Sequence, residues 1–267
     1  MLIYLIFVFI FGLIIGSFLN CVIWRIYKNQ SFMSGRSYCP NCKHALAWYD
    51  LVPVLSYVLL MGKCRYCKKK ISLQYPLVEL ATALIFVAIY NFLGVNILQG
   101  FDFNFYYVLF LWAITAILIV AFVFDLKHYI IPDSVTFSGI IISVIWIVFA
   151  FSQNFYTTKD LIDFFAAGLG AAIFFFLIWF FSKGKAIGFG DVKLAFLLGL
   201  VLGLPNIFVA LFVSFLLGAI IGLILIALKK KKMKSAIPFG PFLIISTFIA
   251  FFYGQEIINW YFSLSLR

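Results

Sequence analysis

Long apolar runs follow one another along this chain, and short polar stretches separate them. A membrane-crossing helix needs roughly 17 to 25 apolar residues, and such runs fall at about 2–24, 77–98, 105–124, 131–151, 162–182 and 237–262. The stretch at about 191–228 is too long for one span, and Pro205 between Gly203 and Asn206 should divide it into a short helix and a longer one. The pattern predicts an all-α polytopic membrane protein with about eight transmembrane helices.

Composition agrees with this fold class. Of the 267 residues, 66% are hydrophobic and 11% are charged, whereas soluble globular domains have about 45–50% apolar and about 25% charged residues. The chain is therefore not a soluble protein, and no stretch is polar enough to form a long disordered tail.

Basic residues predict the orientation, because cytoplasmic loops keep an excess of lysine and arginine. If the N-terminus lies outside, the loops after spans 1, 3, 5 and 7, with the adjoining helix ends, hold all of the 20 basic residues except Lys159 and Arg267. No basic segment precedes the first run and no small-residue cleavage site follows it. We therefore expect residues 1–25 to be a retained transmembrane helix and not a signal peptide.

The one sizeable polar segment, residues 26–76, contains two C-x-x-C pairs, Cys39–Cys42 and Cys64–Cys67. Their separation by 21 residues is slightly wide, but the pairs are typical of a four-thiolate zinc site. Two disulfides or free thiols are the alternatives, although the charge pattern puts this segment in the cytosol, where thiols stay reduced. The sequence predicts a small cytoplasmic zinc-binding domain between the first two transmembrane helices, with zinc in a structural role.

Three other features of this half of the chain have competing interpretations. Residues 51–61 are apolar but too short to span, so they lie against the membrane surface or pack on the cysteine pairs. His44 could replace a thiolate, but we expect it to be exposed because four cysteines complete a tetrahedral shell. Glu79, at the start of the second span, could cap the helix or have a functional role.

Two aspartates end apolar runs on the predicted cytoplasmic side, Asp125 and Asp191. An ionisable group at the edge of lipid suggests a functional role, because burying the group there costs at least a few kcal/mol. Asp125 ends a helix, where the dipole disfavours negative charge, whereas Asp191 follows Gly188-Phe-Gly190 and begins a helix. Two carboxyl groups in opposite fields suit a general acid and a general base that share one water, with Asp191 as the expected base.

Structural explanations exist for both aspartates. Asp125 could bond to Lys127 or Lys193, and Asp191 could cap the helix that it begins. Asp133, after the helix-opening Pro132, is expected to be a helix cap. An ion or proton transporter that uses two intramembrane acids is the alternative function, although transport favours acids near mid-bilayer in inverted repeats. A membrane-tethered zinc module that scaffolds partners is a third possibility.

The order of motifs resembles the bacterial type IV prepilin peptidases (leader peptidase/N-methyltransferase), which are intramembrane aspartic proteases of the GxGD type. The resemblance spans nearly the whole chain and rests on Gly16–Asn20, Gly35-Arg-Ser37, the two cysteine pairs, Asp50–Ser56, Gly62–Cys67, Ile71-Ser72, Tyr75–Glu79, Asp125 with Ile131-Pro-Asp133, Gly188–Leu194 and Pro238-Phe-Gly-Pro241.

This resemblance implies that Asp125 and Asp191 are catalytic and that the substrates are prepilin and pseudopilin precursors, cleaved at the cytoplasmic face of the bacterial inner membrane. It also implies N-methylation of the new N-terminal residue from S-adenosylmethionine, a cofactor for which the sequence offers no recognisable binding loop. Residues 77–267 would form a seven-helix membrane domain that carries the aspartates. Membrane lipid is the other expected partner, and no nucleic-acid partner is expected.

Overall fold

The computed structural model of the protein describes residues 2–31, 35–95, 102–230 and 237–265. Within those ranges the named elements are all helical, as the sequence predicts. They are α1 (Leu2–Tyr27), a 3-10 turn (Trp48–Asp50), α2 (Leu55–Leu59), α3 (Gln74–Phe92), α4 (Phe103–His128), α5 (Asp133–Ser152), α6 (Thr158–Ser182), α7 (Phe189–Leu202), α8 (Asn206–Ala227) and α9 (Gly240–Ser265).

Seven helices in the described part of the chain are long and apolar enough to cross a membrane: α1, α3, α4, α5, α6, α8 and α9. The predicted division at Pro205 is confirmed, since α7 ends at Leu202 and α8 begins at Asn206. At 1.5 Å per residue, the 14 residues of α7 extend about 21 Å, less than the roughly 30 Å of a hydrocarbon core. The sixth of the eight predicted helices, α7, is therefore too short to cross alone.

The chain forms two compact units, Met1–Val120 and Ala121–Arg267. In the first unit α1 packs along α3. A Cβ added to Gly12 would lie 2.5 Å from Cα of Ala83, and one added to Gly16 would lie 2.6 Å from Cα of Glu79. Only glycine allows these two backbones to come so close, as is common between helices in membranes.

In the second unit α7 is surrounded by other helices, because α5, α6, α8 and α9 all contact it. Its leucines at 194, 197 and 198 are completely buried. The closest crossing is with α6, where a Cβ added to Gly199 would lie 2.5 Å from Cα of Gly168. Packing on all sides thus holds α7, and with it Asp191, in one position.

The segment between α1 and α3 contains the two cysteine pairs, the 3-10 turn and α2. Its two β-bridges are isolated, Tyr38 with Ala45 and Lys63 with Lys70. Residues 51–61 do not span, as predicted, since the only helix there is the five-residue α2. Most of the lysine cluster at 229–234, which the orientation argument uses, lies outside the described residues.

Candidate active site

Asp125 and Asp191 are both buried in the second unit, with 6% and 7% of their surface exposed. Asp125 is in the last turn of α4, and Asp191 is the third residue of α7. These are the helix C-terminus and N-terminus that the sequence predicts for them. Buried carboxyl groups need polar partners, and the partners of both are backbone N–H groups.

The partner of Asp125 comes from α9. The backbone N–H of Gly240, the first residue of that helix, donates to Oδ2 of Asp125 over 2.9 Å in a buried environment. The first N–H groups of a helix have no partner within it and carry the positive end of its dipole. They therefore offset the unfavourable position of Asp125 at the negative end of α4.

The partner of Asp191 comes from its own helix. The N–H of Gly188, the residue that caps α7, donates to Oδ2 of Asp191 over 3.1 Å. The capping explanation is thus correct for Asp191 as a local contact. A capping role alone would not require burial, however, and Asp191 is buried.

Ile131 lies between the two aspartate-bearing regions. A Cβ added to Gly190 would be 3.3 Å from Cβ of Ile131, and one added to Gly240 would be 3.2 Å from its Cδ1. Gly190 is next to Asp191 in the chain and Gly240 contacts Asp125, so both aspartates lie beside the same isoleucine. The structure therefore brings together the two acids that the sequence selects, which are 66 positions apart in the chain.

The nearby lysine has a different partner from those expected. Nζ of Lys193 donates to Oδ1 of Asp133, and it lies 5.4 Å from the ring centroid of Phe189. The proposed pairing of Asp125 with Lys193 is therefore wrong. The proposed capping by Asp133 is also wrong, because Pro132 is the N-cap of α5 and no side chain caps it. Instead, the ion pair joins the start of α5 to α7.

The four cysteines of the first unit form one cluster, in which all the Sγ atoms lie within 4.8 Å of one another. Zinc–sulfur bonds of about 2.3 Å in a tetrahedron place the sulfurs about 3.8 Å apart, and Sγ of Cys39 is 3.9 Å from Sγ of Cys67. All four are free thiols, so the disulfide alternative is wrong. The residues present fit a zinc ion.

The two cysteine pairs sit in matching turns. In the first turn Lys43 N–H donates to Cys39 O over 2.9 Å, and in the second Lys68 N–H donates to Cys64 O over 2.9 Å. Both lysines have a left-handed backbone, with φ of 58° and 59°. Repeated turns of this kind aim the thiols of each pair at a common point.

Ionisation of the clustered thiols is coupled to the binding of a cation. Burial raises the pKa of Cys39, but N–H groups of Cys42 and Asn41 and the neighbouring thiols lower it to about 7 overall. The N–H of His44 lowers the pKa of Cys42, yet desolvation and the adjacent thiols bring it to about 11. Four thiolates cannot coexist without a positive ion, so metal binding and full deprotonation go together.

Comparison with known proteins decides the family. Residues 10–93 match the Bacterial Peptidase A24 N-terminal domain, and residues 112–223 match the Type IV leader peptidase family. A prepilin leader peptidase/N-methyltransferase of Legionella pneumophila is 33% identical over 94% of this chain and 92% of its own length. The chain belongs to the type IV leader peptidase family.

Other relatives of this chain carry the same description. The protein of Vibrio cholerae serotype O1 is 36% identical over 94% of this chain and 97% of its own length. That of Bacillus subtilis is 32% identical over 97% and 98% of the two chains. No solved structure matches this chain significantly.

Three contacts in the structure are not predicted by the sequence. Glu79 is buried in the second turn of α3 and accepts the N–H of Val54 over 2.7 Å, so it does not cap that helix. Gly240 donates its N–H to Asp125 of another helix. Lys193 pairs with Asp133 and not with Asp125. His44 is exposed, as predicted, and its ring lies 3.7 Å from that of Tyr66 at a tilt of 33°.

Proposed function

We propose that this protein is an intramembrane aspartic endopeptidase that cleaves the basic leader from type IV prepilins and pseudopilins, and that it also N-methylates the new N-terminal residue. The observation that carries the peptidase is the pair of buried carboxyl groups, each held by one backbone N–H at a helix N-terminus. The relatives named above are prepilin leader peptidases and N-methyltransferases. The comparisons give no support to the transporter alternative.

In this proposal Asp125 and Asp191 act together on one water. The ionised member, which we take to be Asp191, removes a proton as the water oxygen forms a bond to the scissile carbonyl carbon. The protonated member donates a hydrogen bond to the carbonyl oxygen and stabilises the charge that develops there. The carbon–nitrogen bond then breaks, and the leaving amine takes up a proton from the acid pair.

The backbone contacts have a part in this chemistry. Each N–H occupies Oδ2 of its aspartate, so Oδ1 is the oxygen left to carry a proton or to contact the water. Desolvation strengthens each of these interactions, because little bulk water reaches the buried pair to screen them.

We assign residues 26–76 to zinc binding and to the methyl-transfer half of the activity, and residues 77–267 to the membrane domain that carries the aspartates. Cys39, Cys42, Cys64 and Cys67 would hold one structural zinc, which folds the segment. S-adenosylmethionine would supply the methyl group. The described part of this segment has two turns and two short helices with no sheet under them, so no residue is assigned to that cofactor.

Both aspartates are placed at the cytoplasmic face of the bacterial inner membrane in this proposal, with prepilins and membrane lipid as partners. The support is the position of nearly all basic residues beside that face. A thiol reagent that cannot cross the membrane should label Lys183→Cys, between α6 and α7, only from the cytoplasmic side. Labelling from the other side would reverse the orientation.

The decisive experiment uses purified protein in lipid vesicles, a prepilin and S-adenosylmethionine. Mass spectrometry of the product should show loss of the leader and the addition of one methyl group. Omission of S-adenosylmethionine should leave cleavage intact and remove only the methyl group. A precursor that stays uncleaved by folded, zinc-containing protein would refute the peptidase assignment.

A further inference from the structure

Large apolar side chains project outward from residues 48–61 of the first unit, which we call the apolar loop. The exposed fractions are 70% for Leu59 and 85% for Met61. The others in this loop that are at least 40% exposed are Trp48, Tyr49, Leu51, Leu55 and Val58. So many exposed large apolar side chains in one short loop mark a contact site.

The apolar loop is tied to a transmembrane helix at a defined depth. Glu79, which accepts the N–H of Val54 over 2.7 Å, is the sixth residue of α3. Five steps along a helix advance about 7.5 Å from its first residue. On either side of this level the outward-facing side chains of α3 are apolar, since Leu77 and Leu84 are 61% and 60% exposed.

The tie is specific. Val54 has φ 58° and ψ −49°, and β-branched residues rarely adopt a positive φ. Glu79 is 6% exposed, and its buried carboxyl group accepts this N–H and also hydrogen-bonds with the side chain of Ser17 in α1. Strained backbone with a buried polar anchor points to a loop whose position matters.

We propose that the apolar loop inserts into the bilayer interface beside α3, so that the segment between α1 and α3 is partly embedded in lipid. The occupant of its outer face is phospholipid. Exposed basic residues on the adjoining cysteine turn, Lys68, Lys69 and Lys70, are suited to anionic headgroups at the rim of such a site. This inference does not depend on the proposed enzymatic function.

Photocrosslinking can test the insertion. The photoreactive residue p-benzoylphenylalanine would replace Leu59 or Met61, with the exposed Asn41, on the other cysteine turn, as the control position. The protein would be reconstituted in vesicles of phosphatidylethanolamine and phosphatidylglycerol and irradiated. We expect phospholipid adducts by mass spectrometry at positions 59 and 61 and none at 41.

Two results would overturn the proposal. One is the absence of lipid adducts at both loop positions in protein that retains its zinc. The other is crosslinking of the loop to a second copy of this chain or to added prepilin in place of lipid. Two loop positions make the result independent of a folding defect at either one.

A different observation, in the second unit, carries a second inference, which rests on the proposed function. A Cβ added to Gly240 would lie 2.7 Å from Oδ2 of Asp125 and 3.2 Å from Cδ1 of Ile131. The same glycine donates its N–H to that oxygen over 2.9 Å. Only glycine can bring a backbone N–H this close to the carboxyl group.

The residues beside Gly240 hold it in place. The ring of Phe239 lies between aromatic rings of α6 and α8, with centroid distances of 5.8 Å to Phe175 and 5.1 Å to Phe215. Pro241 stiffens the first turn of α9, where a missing N–H has no cost. We infer that Gly240 is a positioning residue that orients the carboxyl group of Asp125 for the reaction.

The variant Gly240→Ala tests this role by its kinetics. We expect kcat for prepilin cleavage to fall at least tenfold, as expected for a displaced reacting group, with KM unchanged. Gly218→Ala is the matched control, because its Cβ would meet Phe239 and Phe242 at an ordinary 3.5 Å. It should retain normal kcat.

If Gly240→Ala folds poorly, a double-mutant cycle of melting temperatures still tests the inference. If the added methyl group clashes with Asp125, the loss of melting temperature should disappear when Asp125→Ala is also present. Equal loss in both backgrounds, or normal kcat for Gly240→Ala, would overturn this inference. If Asp125→Asn also cleaves normally, the proposed function fails instead.

Discussion

Asp125→Asn and Asp191→Asn should each abolish leader cleavage, with a fall in kcat of at least about 1,000-fold. The chemistry needs one carboxyl group that is ionised and one that is protonated, and an amide can be neither. The amide keeps the size of the side chain and can still accept the N–H of Gly240 or Gly188. The variants should therefore insert, fold and bind zinc normally. Cleavage of co-expressed prepilin, measured by mass spectrometry, reads out the effect.

Asp133→Asn is the matched control, because it makes the same chemical change in the same unit. Its side chain is 63% exposed and pairs only with Lys193 among the described salt bridges. Exposed ion pairs contribute little, so cleavage should stay within about tenfold of the original. The double variant of Asp125 and Asp191 should be no worse than either single one, since groups that act as a unit are not additive. Near-normal cleavage by Asp125→Asn, or greater loss with Asp133→Asn, would show that the wrong pair has been assigned.

The Cys64→Ser, Cys67→Ser double variant should lose its zinc and unfold the segment between α1 and α3. Structural zinc sites contribute an apparent 10–16 kcal/mol, roughly, to the folding of small domains. In the described part of this segment the bridges are isolated and the helices are very short, so its secondary structure alone contributes little stability. Purified wild-type protein should contain one zinc per chain, and the variant nearly none. Hydrogen exchange should rise across the described part of the segment.

Cys21→Ser provides the control, because Cys21 lies within α1 and outside the thiol cluster. It should keep its zinc and both activities. If residues 26–76 hold the methyl-transfer site, mature pilin from the zinc-free variant should be cleaved but unmethylated. Full zinc content in the double variant would rule out the four-thiolate site. Normal methylation after zinc loss would show that methyl transfer does not require the metal.

Local features of the sequence are sufficient to predict the helices, and they also select the candidate site residues. Membrane-crossing helices need long apolar runs whatever surrounds them, so their existence can be predicted from single stretches. Pro205 interrupts a helix for local steric reasons, and the break occurs where the sequence predicts it. Asp125, Asp191 and the four cysteines stand out because ionisable groups and paired thiols are rare in so apolar a chain.

The contacts that distinguish the site were not readable from local sequence. Gly240 is 115 residues from the aspartate that it holds, Glu79 is 25 residues from Val54, and Lys193 is 60 residues from Asp133. A carboxyl group at a helix end can accept any N–H that approaches it, and a lysine can pair with any acid in reach. Helix packing selects among them: the glycine crossings set how closely the helices approach, and that spacing determines which backbone donor reaches which side chain.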